Sequence, residues 1–416
     1  MKIAVFSDVF LDVPGGIPSS ILAQKKSLEE LGHEVVVFAP GFRHSLSIFS
    51  RDEQKTIFLV PTHPLIKLNG APVSKRPEKV IKKILLAYPE FDFDVVHVNY
   101  EASCSIAGMK LARRFGRKLV QTMHGREDMA VQMNIPSGLK TLVASVLCFL
   151  HGRYIPHSKI VNKDQKLANT LARAKMWTIM VNHANYANEV ITPSQQFAEK
   201  LRYYGVKKEI NVVSNGVDDE MVAEIDKRVE RVNGSLVRRV EEGDVLRIFW
   251  NSRLSKEKRI MPFLEALAYV KEPFFCTFVG DGNALNLAKK FVGKNGLDSK
   301  VQFYGRVPHA EVLDKMLGQH LSATVSFGFD TQGLTLLEAE ATGLPVFFCD
   351  PDLAESVPDG GGVMSKSPDP KAMAKTLSEI ARNPGQIEEM SKVMLESRRE
   401  ILQSTQIKKL LAVFTK

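Results

Sequence analysis

Two carboxylates in the stretch "FGFDTQGLTLLEAEATGLPV" (residues 327–346) raise the chemical question. Asp330 closes an apolar run, and Glu338 follows within an Ala/Leu-rich helical pattern. An ionised carboxylate only accepts hydrogen bonds, and ribose or hexose diols donate them, so the pair suits hydroxyl recognition. Between the two acids, Gln332, Gly333 and Leu334 open the helix, where backbone N–H groups favour an anion. Glu338 neighbours Leu337 and Ala341, which predicts a buried side chain that needs a partner. The plainer alternative is an N-capping Asp330 and a solvated Glu338.

Other candidate polar groups also follow strand-like runs. Arg253 and Lys258 come after "FWNS" and could clamp a diphosphate, Arg as a fork and Lys as a mobile point charge. Taken alone, a solvated basic loop is the simpler explanation. His124, in "QTMHGRED", could donate to a sugar hydroxyl or serve as a structural histidine. Gly15 and Gly16 would let backbone amides approach an anion closely, or merely form a tight turn. They do not form the dinucleotide-binding glycine fingerprint. "VGDG" (279–282) and "FYGRV" (303–307) are further strand ends with glycine.

The elements that must position these residues alternate β and α. "KIAVFSD", a Gly/Pro-rich loop, the helical "ILAQKKSLEELGH" and "EVVVFAP" make a βαβ unit of a parallel sheet. "FDVVHVNY", "KLVQTMHG", "EVITPS" and "INVVSNGVD" extend it. After a charged break the alternation restarts with "VLRIFWNSRL", "PFFCTFVGDG", "KVQFYGRV", "LSATVSF" and "LPVFFCD". The pattern predicts two doubly wound, Rossmann-like α/β domains facing across a cleft, joined near 212–245. In such sheets ligands sit beyond the carboxyl ends of the strands. The expected division is a first domain over 1–215, a second over 216–395, and a C-terminal helix from about 396–416 returning to the first.

Composition bounds the function classes. The 416 residues are 44% hydrophobic and 25% charged, an ordinary globular balance with ample core. Four scattered cysteines with no CxxC argue against a zinc site or a disulfide framework and fit a reducing compartment. Met1 leads straight into a strand-like run, so no secretory leader is expected. The longest apolar segment, "LVASVLCFL" (142–150), is too short to span a bilayer. Charge is uneven: residues 1–216 carry 29 Lys/Arg against 18 Asp/Glu, whereas 217–416 carry 27 against 29. The basic half points to an anionic neighbour, which could be a nucleic acid, a lipid leaflet or a phosphorylated substrate.

Taken in order, "GG…LEELGHEVVVFAP", "FDVVHVN", "VITPS…LRYYGV…INVVSNGVD", "SRLSKEK", "FVGDG", "VQFYGRV", "DTQGLTLLEAEATGLPV" and "AESVPDGGG" resemble family 4 of the retaining glycosyltransferases, with its glycosyltransferase-B fold. The resemblance covers nearly the whole chain. It implies that Arg253 and Lys258 hold the diphosphate of a nucleotide sugar and stabilise its departure. It further implies that Gly15 and Gly16 approach the sugar and its phosphate, and that His124 contacts the sugar. Asp330 and the backbone of Gln332, Gly333 and Leu334 would hold the sugar hydroxyls and distal phosphate. Glu338 would bind the ribose, with Arg306 and Val307 beside the base. Asp330 stands where the family usually has Glu, one methylene longer. The implied chemistry needs no cofactor and no metal, because electrostatic stabilisation of the leaving diphosphate carries it. "DFD" (92–94) and "DPD" (350–352) read as loop acids rather than metal ligands.

Two basic segments suggest where an acceptor lies. Residues 65–88 carry Lys67, Lys75, Arg76, Lys79, Lys82 and Lys83, and residues 152–177 carry six cations against Asp164. Cations interleaved with apolar residues suit a helix on an anionic leaflet, or an ordinary helix packed on its own domain. The resemblance extends to bacterial diacylglycerol glucosyltransferases through the "TQGLT" wording. It implies a peripheral enzyme on the inner face of the cell membrane, moving glucose from UDP-glucose to diacylglycerol. A phosphatidylinositol-type acceptor comes next, and a soluble glycan acceptor is the competing class. A nucleotide-sugar epimerase of the same fold is also open. No nucleic-acid motif accompanies the charge.

Overall fold

The computed structural model describes residues 1–12, 15–68, 71–231 and 234–416, excepting the side chains at 43, 64–68, 71, 309 and 310. Strands form where short β-branched and aromatic runs are apolar on both faces, as a parallel sheet covered by helices on each side requires. They are β1 Lys2–Phe6, β2 Glu34–Pro40, β3 Ile57–Val60, β4 Thr62–Leu68, β5 Ala71–Ser74, β6 Val95–Val98, β7 Lys118–Thr122, β8 Glu189–Thr192 and β9 Ile210–Val212. They continue as β10 Leu246–Asn251, β11 Phe274–Val279, β12 Val301–Gly305, β13 Leu321–Thr324, β14 Val346–Phe348 and β15 Gly362–Met364.

The chain divides into two compact units, Met1–Asn215 with Gln406–Lys416, and Gly216–Thr405. The segment that joins the first unit is therefore shorter than the 396–416 stretch expected. A second helix, Gly385–Ser397, and the 3-10 turn after it stay with the second unit.

The first unit is a seven-stranded sheet in the order β3-β2-β1-β6-β7-β8-β9, with every neighbouring pair parallel. Alternation along the strands builds two cores. Ala4, Phe6, Val36, Phe38, Val96 and Val98 face one layer of helices. Ile3, Val5, Val35, Val37 and Val95 face the other, which includes Ile407, Leu410, Val413 and Phe414 of the C-terminal helix Gln403–Thr415. β4 and β5 pair antiparallel as a separate two-stranded ribbon.

The second unit is a six-stranded parallel sheet in the order β12-β11-β10-β13-β14-β15. Leu246, Ile248, Trp250, Cys276 and Phe278 line one core, and Phe249, Val279, Val346 and Phe348 the other. In each sheet the strand order reverses once, between β1 and β6 and between β10 and β13. Open α/β sheets bind ligands at that switch point. All four cysteines are buried and free. Among the described residues no helix is long and apolar enough to cross a membrane.

Candidate active site

The second unit brings its predicted residues to the switch point. Arg253 and Lys258 lie on the loop after β10, and Asp330 follows β13, the strand beside it. Lys258 Nζ donates to both Asp330 carboxylate oxygens, at 2.7 and 2.8 Å. Ser326 Oγ donates to the same carboxylate. Burial opposes ionisation of Asp330, but the Lys258 ammonium, the Ser326 hydroxyl and the Arg253 guanidinium outweigh it and hold the carboxyl below its ordinary range. Lys258 Nζ also lies 5.7 Å from the Phe329 ring centroid. Arg253 is half-exposed and bonds Glu257 at 3.1 Å.

The glycines of "VGDG" set that loop in place. A Cβ on Gly280 would lie 2.1 Å from the Ser252 carbonyl oxygen, and one on Gly282 2.4 Å from that of Leu254. The backbones touch there, and Leu254 N donates to Asp281 O at 3.0 Å. These glycines thus act as the bed for the cationic loop.

Gly333 has φ 85 and caps the helix Leu334–Ala341 without a side-chain cap or an acid in the first turn. Gln332 is buried beside it. Positive potential at that helix end adds to Lys258 and Arg253.

Glu338 corrects one expectation. It is only partly buried, and Asn251 Nδ2 at the end of β10 donates to it at 2.7 Å. The deeply buried acid of this helix is Glu340, pushed up to about 7 by burial. Leu336, Leu337, Ala339 and Ala341 are buried as well, so the helix has no clear apolar face from which to read its phase. Arg306 is exposed just after β12, and Val307 packs on the core of this unit.

The remaining predicted residues belong to the first unit. Gly15 and Gly16 begin the helix Gly16–Glu30, so the expected loop ends earlier than "ILAQ" suggests. Val13 and Pro14 of that loop lie outside the described residues. His124 follows β7, and burial pushes it down to about 4, so its ring is neutral at pH 7. Its Nε2 meets Asn99 Oδ1 at 2.9 Å and must be the donor there, which makes Nδ1 the acceptor nitrogen. Nearby, burial and then repulsion from Asp128 and Asp8 push Glu127 up to about 7, and burial with repulsion from Glu127 and Asp8 pushes Glu101 above its ordinary range. Asp8 accepts from the amides of Ala102, Cys104 and Ser105, around the start of the helix Ser103–Arg114.

The "DFD" and "DPD" acids do local work. Asp94 accepts from Lys2 N, and Asp350 from the amides of Gly328 and Asp352.

The two basic segments are helical only in part. Only Pro77–Ala87 of the first is helical, because β4 and β5 take the residues before it. The Lys67 side chain lies outside the described residues. Arg76, Lys79, Lys82 and Lys83 are exposed and Lys75 half-buried, and Lys83 donates to Leu59 O at 2.8 Å. In the second segment, 153–170 is irregular, and the helix Leu171–Tyr186 is buried along most of its length around Trp177.

Sequence reading missed Asn251, Ser326 and Asn99, which orient Glu338, Asp330 and His124. Asn251 was visible as the polar residue closing an apolar strand. Ser326 and Asn99 gave no signal that distinguishes them from ordinary loop residues.

Comparison with known proteins fits this geometry. The profile described as Glycosyltransferase Family 4 matches residues 14–221, and Glycosyl transferases group 1 matches 239–399. The chain is 26% identical over 356 residues to the alpha-monoglucosyldiacylglycerol synthase of Streptococcus pneumoniae, covering 83% of this chain and 70% of that one. It is 23% identical over 409 residues to the protein of the same name from Acholeplasma laidlawii, covering 94% and 91%. Anabaena HepE, solved in complex with UDP-glucose, superposes with a TM-score of 0.68 at 16% identity over 100% of this chain and 99% of that one. With two parallel α/β units and both family signatures in order, this chain belongs to glycosyltransferase family 4 and has the glycosyltransferase-B fold.

Proposed function

We propose that this glycosyltransferase moves glucose from UDP-glucose to 1,2-diacylglycerol at an anionic membrane surface, with retention of configuration and without a metal. The observation that carries the donor half is the Lys258–Asp330 pair beside Arg253 and the uncapped helix end at Gly333. Lys258 and Arg253 supply two positive charges for the leaving diphosphate, and the amides around Gln332, Gly333 and Leu334 add partial charge to a phosphate oxygen. When the donor enters, Lys258 exchanges part of its bond to Asp330 for a phosphate. The freed carboxylate then accepts from sugar hydroxyls. Glu338, oriented by Asn251, accepts from the ribose diol.

The acceptor half rests on the relatives, whose names specify an alpha-linked glucosyl group on diacylglycerol. Moving an α-configured nucleotide glucose into an α-glucoside retains configuration. Asp330, paired with Lys258, and Glu338, held by Asn251, are both assigned to hydroxyl recognition, so neither is assigned as a covalent nucleophile. The leaving phosphate is then the base nearest the incoming hydroxyl, and positioning and electrostatics carry the rate.

The test is product formation from labelled UDP-glucose with vesicles of diacylglycerol and anionic lipid, chelator present. A labelled, chloroform-soluble α-glucoside is the expected result. UDP release without lipid product would retain the donor and move the acceptor to soluble glycans. Turnover only with another nucleotide sugar would trace donor choice to Asp330, one methylene shorter than the usual glutamate.

A further inference from the structure

We infer that the helix Lys140–Gly152 is the element of this enzyme that enters the lipid, lying in the plane of an anionic leaflet with its Leu142–Phe149 face among the acyl chains. The inference rests on the membrane-acceptor reading above and names the surface that meets the bilayer.

The helix is inverted relative to an ordinary surface helix. Ala144, Cys148 and His151 face inward onto Val131, Ala172, Met176 and Ile179, and His151 is bonded by His157 and His183 at 2.8 and 2.9 Å. The opposite stripe should be polar in water. Instead Leu142 is 62% exposed, Val146 47%, Phe149 68% and Leu150 45%, and Leu139 just before the helix is 50% exposed. From Thr141 to Gly152 no residue is an acid, a lysine or an arginine. An outward apolar stripe of this extent marks an interaction surface. At about 1.5 Å per residue, its 13 residues reach roughly 20 Å, too short to span a bilayer of about 30 Å and suited to lying in the interface.

Charge selects the occupant. Between Asp128 and Asp164 the chain has no acid, but it has Lys140, Arg153, Lys159 and Lys163. A residue just past the apolar helix's end also reaches the basic helix Pro77–Ala87. Tyr154, just past the apolar helix, donates to Glu78 at 3.3 Å, and Arg76 and Arg153 both act on its hydroxyl. Exposed Lys79 and Lys82 follow on that helix. An apolar face with no acid of its own, bordered by cations that outnumber Glu78, complements an anionic leaflet, in which cations stay at the headgroups and apolar side chains enter the acyl boundary.

The experiment uses full-length enzyme carrying Phe149→Trp, with vesicles of phosphatidylglycerol and phosphatidylcholine, some containing lipids brominated along the acyl chain. Trp177 and Trp250 are buried, so they supply a constant background. Vesicles should shift the emission of the new tryptophan to shorter wavelength, and the brominated lipid should quench it. A Leu142→Ser/Val146→Ser/Phe149→Ser variant should bind vesicles roughly tenfold more weakly or worse. Its release of UDP from soluble donor in detergent should be unchanged, which shows that it folds. Sedimentation with vesicles without shift or quenching would overturn the assignment of this helix and leave the membrane reading standing. Failure of wild-type enzyme to sediment with any vesicle would bring down the membrane reading itself. A wild-type dimer that the triple-serine variant converts to monomer, with no vesicle dependence, would assign the face to a second copy and overturn the inference.

Discussion

The Lys258–Asp330 pair couples stability to chemistry within two residues. Both side chains are largely shielded, and removing one partner of such a pair strands the other charge. Lys258→Ala should therefore lower kcat by about 100-fold or more and also lower the melting temperature. Asp330→Asn, which keeps the shape and removes the charge, separates the two effects: donor KM should change more than stability does. Wild-type turnover in Lys258→Ala would remove the diphosphate assignment. Asn251 allows a cleaner test, because its amide holds Glu338 and touches no expected phosphate. Asn251→Ala should raise donor KM roughly tenfold, the equivalent of one lost charge-assisted hydrogen bond, with kcat little altered. Steady-state kinetics against UDP-glucose reads both.

At the scale of elements, the helix Leu334–Ala341 carries opposing demands. Its N-terminus and Glu338 serve the site, and its far side is buried together with the carboxyl of Glu340. Burial raises that carboxyl from 4.5 to about 7. The folded chain therefore holds a proton there that the unfolded chain releases. Stability from this group falls as pH rises from about 4.5 through 7, and the loss is complete above 7. Glu340→Gln removes the loss. The variant should match wild type near pH 5 and be more stable at pH 8, by roughly 1–3 kcal/mol. Chemical denaturation at the two pH values measures this, and an equal difference at both would refute the shifted titration.

On the scale of the whole molecule, the first unit carries the excess positive charge and the second a modest net negative charge. Vesicle binding should accordingly weaken as salt rises, because the Debye length falls from about 10 Å at 0.1 M to about 3 Å at 1 M. It should not vanish, because the apolar face of Lys140–Gly152 is indifferent to screening. Titration with anionic vesicles at low and high salt should leave a residual affinity that neutral vesicles share. Complete loss of binding at high salt would make the attachment purely electrostatic.

The sequence alone determined the β/α alternation, the two parallel sheets and the strand ends at which Arg253, Lys258, Asp330 and Gly333 gather. Short continuous apolar runs and glycine placement are local properties, and in a parallel sheet every loop that follows a strand starts at the carboxyl edge. What it could not determine was which side of a mostly apolar helix faces in. Leu334–Ala341 is apolar nearly all round, so Glu338 was read as buried when Glu340 is. "LVASVLCFL" read only as a segment too short to span a membrane. Packing covered Ala144 and Cys148 and left Leu142, Val146 and Phe149 to solvent. The basic segments were legible as charge but not as shape, because the local β4–β5 pairing takes the residues before Pro77 and burial around Trp177 depends on distant residues. Tertiary packing alone decides which of two equally apolar faces is buried.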